Sequence, residues 1–487
     1  MSSALKVQPD SHVVDILGNT KGRDQPIMLM EKAVELVSCF DSSVFSDEKT
    51  VFLDPFCKAG EVLLAAALRS CLLTKTQHPQ LTTKREIFHE LYSGRYYAVA
   101  PDERHYLLSK RTFYGNINSH NPKVAAQIRC GNYVSETDGR LKRDCFETEL
   151  KNMIEFIRKS RSNARIVAVG NPPYQESDGG FGGSATAIYN LFVEALMDAP
   201  SITEFALVIP SRWFTSGKGV DSFRDRIINS STIKAIHHFK NSKSVFPTVD
   251  VLGGICFLHY KADHKGGVMF HDGEASSVVD LKKHDIILDD PRSYDLVEKL
   301  KAAWHGKYVS EIAWTRKPFG LPTDHFKKND EASSRAADAI PCYSKGRSIR
   351  YVRRSEITKN EDKIDQYKVA VPRAYAPGSK LGVRRVTIPK DQIFLITKGE
   401  VTTETYNVVG SFKTMKEAER FVRYLQTDFA RYLLGLRKVT QDIPKDRWDW
   451  VPLVDMNTEW TDELLFDRFQ LTKQEREHIK KKVKEWS

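Results

Sequence analysis

The chain has 487 residues, 41% hydrophobic and 10% aromatic, with a formal net charge of +11. That is enough apolar material for two to four domains with sizeable cores, which excludes a disordered chain. No apolar run reaches the length of a membrane span and MSSALKVQPDSH lacks a signal-peptide pattern, so the expected address is the cytoplasm.

The first half alternates strand-like and helix-like segments. TVFLDPF (Thr50–Phe56) is an apolar strand that breaks at Gly60 and gives way to the helix formers EVLLAAALRSCLL. YYAVA (Tyr96–Ala100) is a second strand, followed by a helical run to about Tyr114. QIRCGNY (Gln127–Tyr133) is a third strand, and CFETELKNMIEFIRKS reads as a helix. ARIVAVG (Ala164–Gly170) is a fourth strand, AIYNLFVEALMDA a helix, and EFALVIPS (Glu204–Ser211) a fifth strand. IKAIHHF and VLGGICFLHY add two more. Such alternation predicts an α/β domain with a mostly parallel sheet and helices on both faces, spanning residues 1–262. Ligands of such sheets bind outside the carboxyl ends of the strands.

After Ala262 the alternation stops. Short segments and turns predict a mixed α+β domain over 263–455, and Met415–Arg437 predicts one amphipathic helix with Ala418, Phe421, Val422, Leu425, Phe429, Tyr432 and Leu433 on its apolar face. Residues 456–487 are expected to form a separate helical tail. From Pro341 to Lys390 there are 13 Lys/Arg against 4 Asp/Glu, a net of +9. A solvated basic loop region explains this; so does a footprint for a polyanion. The seven cysteines, Cys39, Cys57, Cys71, Cys130, Cys145, Cys256 and Cys342, form no CxxC pair, so neither a disulfide framework nor a structural metal is expected.

Three strand ends carry chemistry. In DPFCKAG, Gly60 permits a tight turn and the following helix start offers free N–H groups. The Gly-Lys-Ser/Thr of a phosphate loop is absent, and a carboxylate-bearing ligand such as an amino-acid moiety fits as well, with Asp54 able to hold an ammonium or to organise the loop. A plain strand–turn–helix with Asp54 as a cap is the alternative. After the second strand, Asp102 and Glu103 both stand where many nucleotide-binding folds grip a ribose hydroxyl; surface acids at a helix start need no such role. The fourth strand ends in Asn171-Pro172-Pro173-Tyr174. The Asn171 side-chain oxygen and the Pro172 carbonyl make two acceptors in a corner whose prolines donate nothing. Two acceptors suit an amino group with two hydrogens. They can draw those hydrogens out of plane and expose a lone pair otherwise delocalised into a base ring. Tyr174 can stack on that ring. Ordinary turn punctuation is the alternative.

In order along the chain, DPFCKAG, CGNY, NPPY, VIPSRWF (Val208–Phe214) and SVFPTVDVLGGICF (Ser244–Phe257) resemble the adenine-specific DNA methyltransferases of restriction–modification systems, in their gamma arrangement. The resemblance covers roughly residues 15–262 by motif. It implies a Rossmann-like methyltransferase domain and a C-terminal target-recognition domain. It implies that Asp54, Pro55, Phe56, Cys57, Lys58 and Gly60 hold S-adenosylmethionine, that Pro26 and the helix in QPIMLMEKAVELV close over it, and that Asp102 or Glu103 faces its ribose. Asn132 would lie near its adenine and Asn171 would also touch it. Asn171, Pro172 and Pro173 would form the catalytic corner. Tyr174 and Phe246 would stack on an adenine flipped out of duplex DNA, and QESDGGFGGSA would be a loop near that base. Three departures stand out: Lys58 replaces a common glycine, AVAPDER lacks the usual glycine-acid-hydrophobic-acid pattern, and GNY replaces Gly-Asp.

Candidate DNA contacts are Lys345, Arg347, Arg350, Arg353, Arg354, Arg373, Lys380, Arg384 and Arg385, mostly to phosphate. No nuclease Asp…Glu-x-Lys pattern is found, so cleavage is expected from a separate nuclease subunit. The competing expectations are an RNA or protein methyltransferase using the same corner, and a DNA-binding protein with weak turnover.

Overall fold

The computed structural model describes residues 27–77, 84–114, 127–131, 133, 142–176, 186–215, 219–248, 251, 253–375, 387–438 and 442–486. The chain divides into two compact units, Met1–Asp285 and Ile286–Ser487.

The first unit runs α1 (Met30–Val37), α2 (Ser42–Ser46), β1 (Thr50–Asp54), α3 (Glu61–Gln77), α4 (Lys84–Leu91), β2 (Tyr96–Ala100), α5 (Glu103–Tyr114), β3 (Ile128–Cys130), α6 (Arg143–Ser160) and β4 (Arg165–Gly170). It continues with β5 (Gln175–Glu176), β6 (Thr186–Ala187), α7 (Tyr189–Asp198), β7 (Ile202–Pro210), α8 (Asp221–Asn229), β8 (Ile233–Phe239), β9 (Ile255–Lys261), β10 (Val268–His271) and β11 (Ser276–Val279). Nine strands form one sheet in the order β11-β10-β8-β9-β7-β4-β1-β2-β3. Strands β3, β2, β1, β4 and β7 are parallel neighbours, while β9 runs antiparallel between β7 and β8.

Side-chain alternation explains the two helical layers. Phe52, Tyr96, Ala98, Val167, Val169, Ala206, Val208 and Phe257 share a core with Ala33, Leu36 and Val37 of α1 and Val62, Leu63, Ala66 and Ala67 of α3. On the other face, Tyr97 of β2 meets Phe156 of α6 edge-on, and α6 packs on α7. Both faces are covered, so β1 is buried throughout, and such strands read as unbroken apolar runs. The expected mostly parallel α/β sheet with helices on both faces is therefore present.

The boundary expected at residue 262 falls elsewhere in the structure. Strand β10 pairs in parallel with β8, and β11 pairs antiparallel with β10, so residues beyond 262 extend the same sheet.

In the second unit, α9 (Arg292–Ala303), α10 (Val309–Ile312) and α11 (His325–Lys328) precede β12 (Ala339–Tyr343), β13 (Ile349–Arg353), β14 (Tyr367–Pro372), β15 (Phe394–Ile396), β16 (Val401–Thr402) and β17 (Tyr406–Phe412). These strands make two three-stranded sheets, β13-β12-β16 and β15-β14-β17. The single helix expected over Met415–Arg437 is two, α12 (Met415–Leu425) and α13 (Asp428–Arg437). The Thr427 hydroxyl accepts the Ala430 N–H at 3.2 Å and donates to the Tyr424 carbonyl at 2.7 Å, closing one helix and opening the next. The expected separate tail, α14 (Asp462–Arg468) and α15 (Lys473–Trp486), belongs to this body: the Trp486 ring stacks on Tyr432 at 5.6 Å.

Candidate active site

The chain runs from β1 outward through β2 and β3, then returns to place β4 on the other side of β1. Open α/β sheets bind ligands beside such a reversal, outside the carboxyl ends of the strands, which here are those of β1 and β4. Asp54 ends β1 and Gly170 ends β4, so two of the sequence motifs meet there.

The two strand ends are locked together. A Cβ added at Gly170 would lie 2.5 Å from the Asp54 carboxylate oxygen and 3.4 Å from the Phe56 ring, so only glycine fits this position. Asp54 is buried, and one of its oxygens accepts the Phe56 N–H at 2.9 Å. Burial pushes its carboxyl up to about 8, a nearby Glu61 adds to the rise, and the Phe56 bond and Lys58 oppose it.

The rest of the β1–α3 loop is braced from several sides. The Tyr133 hydroxyl donates to the Pro55 carbonyl. The Phe56 ring stacks on Phe146 at 5.2 Å and meets Phe192 edge-on, anchoring the loop between α6 and α7. The Cys57 N–H donates to the Val99 carbonyl at 3.0 Å and its Sγ lies 3.1 Å from the Ser109 hydroxyl. Burial raises this thiol well above its usual range, which makes it a poor nucleophile. Ser109 also donates to the Lys58 carbonyl at 3.2 Å, and Thr112 donates to the Ala59 carbonyl. Gly60 has φ +81°, and a Cβ there would lie 3.3 Å from Thr112 and Phe113. Phe56 and Cys57 are thus packing residues of the loop, a role the sequence did not announce.

Four supporting residues escaped sequence reasoning: Ser109, Thr112, Tyr133 and Glu61. Glu61 accepts the Ala59 N–H at 3.2 Å and the Met28 N–H at 3.3 Å, tying the segment before α1 to the loop. Its place in the first turn of α3 was the available signal. Pro26 and Asn132 lie outside the described residues.

Asp102 and Glu103 differ in structure. Asp102 caps α5, accepting the His105 N–H at 2.9 Å and contacting His105 Nδ1 at 2.6 Å. Partial burial works against its ionisation, but the His105 bonds hold its carboxyl below the usual range. Glu103 is exposed and makes no hydrogen bond or ion pair with the described residues.

At the β4 corner, Asn171, Pro172 and Pro173 are buried and Tyr174 is half-buried. The Tyr174 ring meets Phe246 edge-on at 6.4 Å and 69°. Its hydroxyl is out of water with no partner among the described residues, and burial raises it well above its usual range, so the phenol stays protonated. Phe246 has no exposed surface and belongs to the core under α1 and α3. In this conformation Phe246 presents no stacking face to solvent; it backs Tyr174. The two rings are not parallel and form no sandwich. QESDGGFGGSA lies mostly outside the described residues, and its ends pair as β5 and β6.

The basic candidates of the second unit are largely occupied. Arg350 bonds Glu331 at 2.8 Å and lies over Phe326. Arg354 bonds Glu361 at 2.9 Å, and Arg373 bonds Asp442 at 3.2 Å. Arg347 lies over Phe394 at 4.3 Å and donates to the Asp391 carbonyl. Lys345 and Arg353 are exposed and have no ion-pair partner among the described residues. Lys380, Arg384 and Arg385 lie outside those residues. Among the described residues there is no cluster able to hold a metal ion, and no helix is long and apolar enough to cross a membrane.

The fold is thus a Rossmann-like α/β unit in which the ends of β1 and β4 meet at the topological switch point. The family model described as Eco57I restriction-modification methylase matches residues 95–246, a stretch that contains the Asn171–Tyr174 corner and Phe246. A curated relative from Mycoplasma pneumoniae (strain ATCC 29342 / M129 / Subtype 1), called "Uncharacterized adenine-specific methylase", is 29% identical over 150 residues, covering 29% of this chain and 35% of that protein. The chain therefore spans about a third of the length of that relative. Two solved structures are among those to which the chain is similar. A nuclease-deletion mutant of the Type ISP restriction-modification enzyme LlaGI in complex with a DNA substrate mimic is 10% identical, with 95% of this chain and 47% of that chain covered and a TM-score of 0.45. The Type IIL restriction-modification enzyme MmeI in complex with DNA is 10% identical, with 86% and 64% covered and a TM-score of 0.42.

Proposed function

We propose that this chain is an adenine-specific DNA methyltransferase of a restriction–modification system, using S-adenosylmethionine and acting on a base flipped out of the duplex. The observation that carries the reading is the pair of acceptors at Asn171 and Pro172, buried beside the β1 loop across the switch point, in the stretch matched by the methylase family model.

The residues present fit the cofactor. The loop after β1 contains a buried amine with no partner among the described residues, Lys58 Nζ, and Glu103 offers an exposed carboxylate after β2 for a ribose diol. When bound, S-adenosylmethionine supplies an already activated methyl group. The chain's own work is alignment and polarisation, and alignment of this kind is worth about 7–11 kcal/mol in favourable cases. Asn171 Oδ1 and the Pro172 carbonyl accept the two amine hydrogens. That would localise the nitrogen lone pair for attack on the methyl group: as the carbon–nitrogen bond formed the methyl–sulfur bond would break, leaving a thioether, and one amine proton would pass to solvent. Tyr174, backed by Phe246, holds the base plane. Cys57 is buried and protonated, which agrees with a direct transfer lacking a covalent enzyme intermediate. Lys345 and Arg353 are the cations best placed to meet phosphate. Cleavage in such a system is assigned to a separate nuclease subunit.

The test is expression in a host free of adenine methylation, followed by sequencing that detects modified adenines. Methylation at one sequence context is the expected result. Unmodified DNA alongside methylated RNA or protein would transfer the corner to another substrate class. DNA binding without modification would mark a chain with weak turnover.

A further inference from the structure

One charged group in the β1–α3 loop has no task in the reaction proposed above. Lys58 is 4% exposed, and its Nζ is shielded from water without a hydrogen bond or ion pair to any described residue. The loop contains two carboxylates that could have neutralised it, and both are engaged elsewhere. Asp54 accepts the Phe56 N–H, and Glu61 accepts the N–H groups of Ala59 and Met28. A buried ammonium without an anion is strongly unfavourable, and a ligand that brings the anion removes the penalty. Burial alone lowers this amine to about 7, with Glu61 and Asp54 opposing the fall.

The class of anion follows from the loop's other donors. Phosphate-binding loops surround several oxygens with backbone N–H groups. Here the N–H groups of Phe56, Cys57 and Ala59 are already spent on Asp54, Val99 and Glu61. One buried amine suits a singly charged carboxylate. The α-amino-acid end of the cofactor read above carries such a carboxylate.

We propose, resting on the cofactor reading above, that Lys58 binds the carboxylate of the cofactor's amino-acid end, where a glycine loop would rely on backbone alone. Lys58 is then a binding residue that sets cofactor affinity.

The experiment is calorimetry on the full chain with two probes. One is S-adenosylhomocysteine; the other is its decarboxylated analogue, which keeps the adenosine, thioether and ammonium. The unmodified chain should bind S-adenosylhomocysteine about tenfold or more tightly than the analogue. In Lys58→Met that preference should vanish through weaker binding of S-adenosylhomocysteine alone, with no loss of thermal stability. Equal binding of both probes by the unmodified chain, a needed comparison if the variant does not fold, overturns the Lys58 proposal and leaves the cofactor reading standing. Equal weakening of both probes in Lys58→Met overturns it as well, since that marks a structural role. Tighter binding in Lys58→Met would show that the side chain blocks the site. If neither probe binds, the cofactor reading falls and takes the proposal with it.

Discussion

The two loops that face each other across the switch point are built on opposite plans. The loop after β1 is saturated along its backbone, the Lys58 amine aside: its carbonyls at Pro55, Lys58 and Ala59 and its N–H groups at Phe56, Cys57 and Ala59 all bond to protein. The corner after β4 is made donor-poor by two prolines, and its next residue, Tyr174, keeps a buried hydroxyl without a described partner. A saturated loop fixes a shape. A corner with two prolines has two fewer N–H groups to give. The contrast teaches that backbone bracing and donor-free backbone are assigned to different strand ends, on neighbouring strands of the sheet.

The largest test of the contrast is Asn171→Ala. Methyl transfer, measured with radiolabelled cofactor on duplex DNA, should fall by about 10²–10³-fold, while S-adenosylhomocysteine binding stays unchanged. Loss of both would make the corner structural. Next is Gly170→Ala, which drives a methyl group into the Asp54 carboxylate. It should cost about 1–3 kcal/mol in a denaturant melt; no loss would mean the strand ends are not locked.

Asp54→Asn probes the lock through pH. In the folded chain Asp54 holds its proton up to about 8, against 3.8 for the free group. Its stabilising contribution is therefore complete below pH 3.8 and lost as pH rises through 8. The asparagine variant, which avoids that loss, should melt roughly 5 °C higher than the unmodified chain at pH 8.5. The gap should close toward pH 4. Lys58, Glu61, Cys57 and Tyr133 share this environment and are common to both proteins. A pH-independent gap would remove Asp54 from the titration. Thr112→Val removes one brace from the saturated loop. It should cost about 1 kcal/mol of stability and weaken cofactor binding, with kcat intact at saturating cofactor; a reduced kcat would tie this loop to the reacting centre. The smallest effect is on neither loop. Replacing Lys345 and Arg353 by Ala should lower the slope of log affinity against log salt by about 2 and leave cofactor binding unchanged. An unchanged slope would place the DNA footprint elsewhere.

Much of this architecture was legible because parallel strands buried on both faces are written as apolar runs, such as YYAVA and RIVAVG. The sheet's last two strands were not: β10 is four residues long between glycines and a polar turn, and Met269 and Val278 lie exposed on it and its neighbour. The apolar period of Met415–Arg437 runs through the Gln426–Thr427 break, so periodicity alone could not show the cap. At the site, the prolines made the Asn171 corner visible, since no other residue type removes donors so plainly. The burial of Lys58 stayed hidden because a lysine in a loop is ordinarily solvated. The ion pairs of the basic stretch stayed hidden for another reason. The acids that neutralise Arg350 and Arg373 lie 19 and 69 residues away in sequence, beyond any local charge count.

The contact between Gly170 and the Asp54 carboxylate has a further consequence. It leaves no room for a side chain between the ends of two neighbouring strands, so the loop after β1 and the corner after β4 lie directly against each other. The gap between whatever lies on the one and whatever enters the other is then a dimension of the sheet, set when the chain folds. Selectivity in such an arrangement belongs to delivery: the ruler is fixed, and the choice is in what gets laid against it.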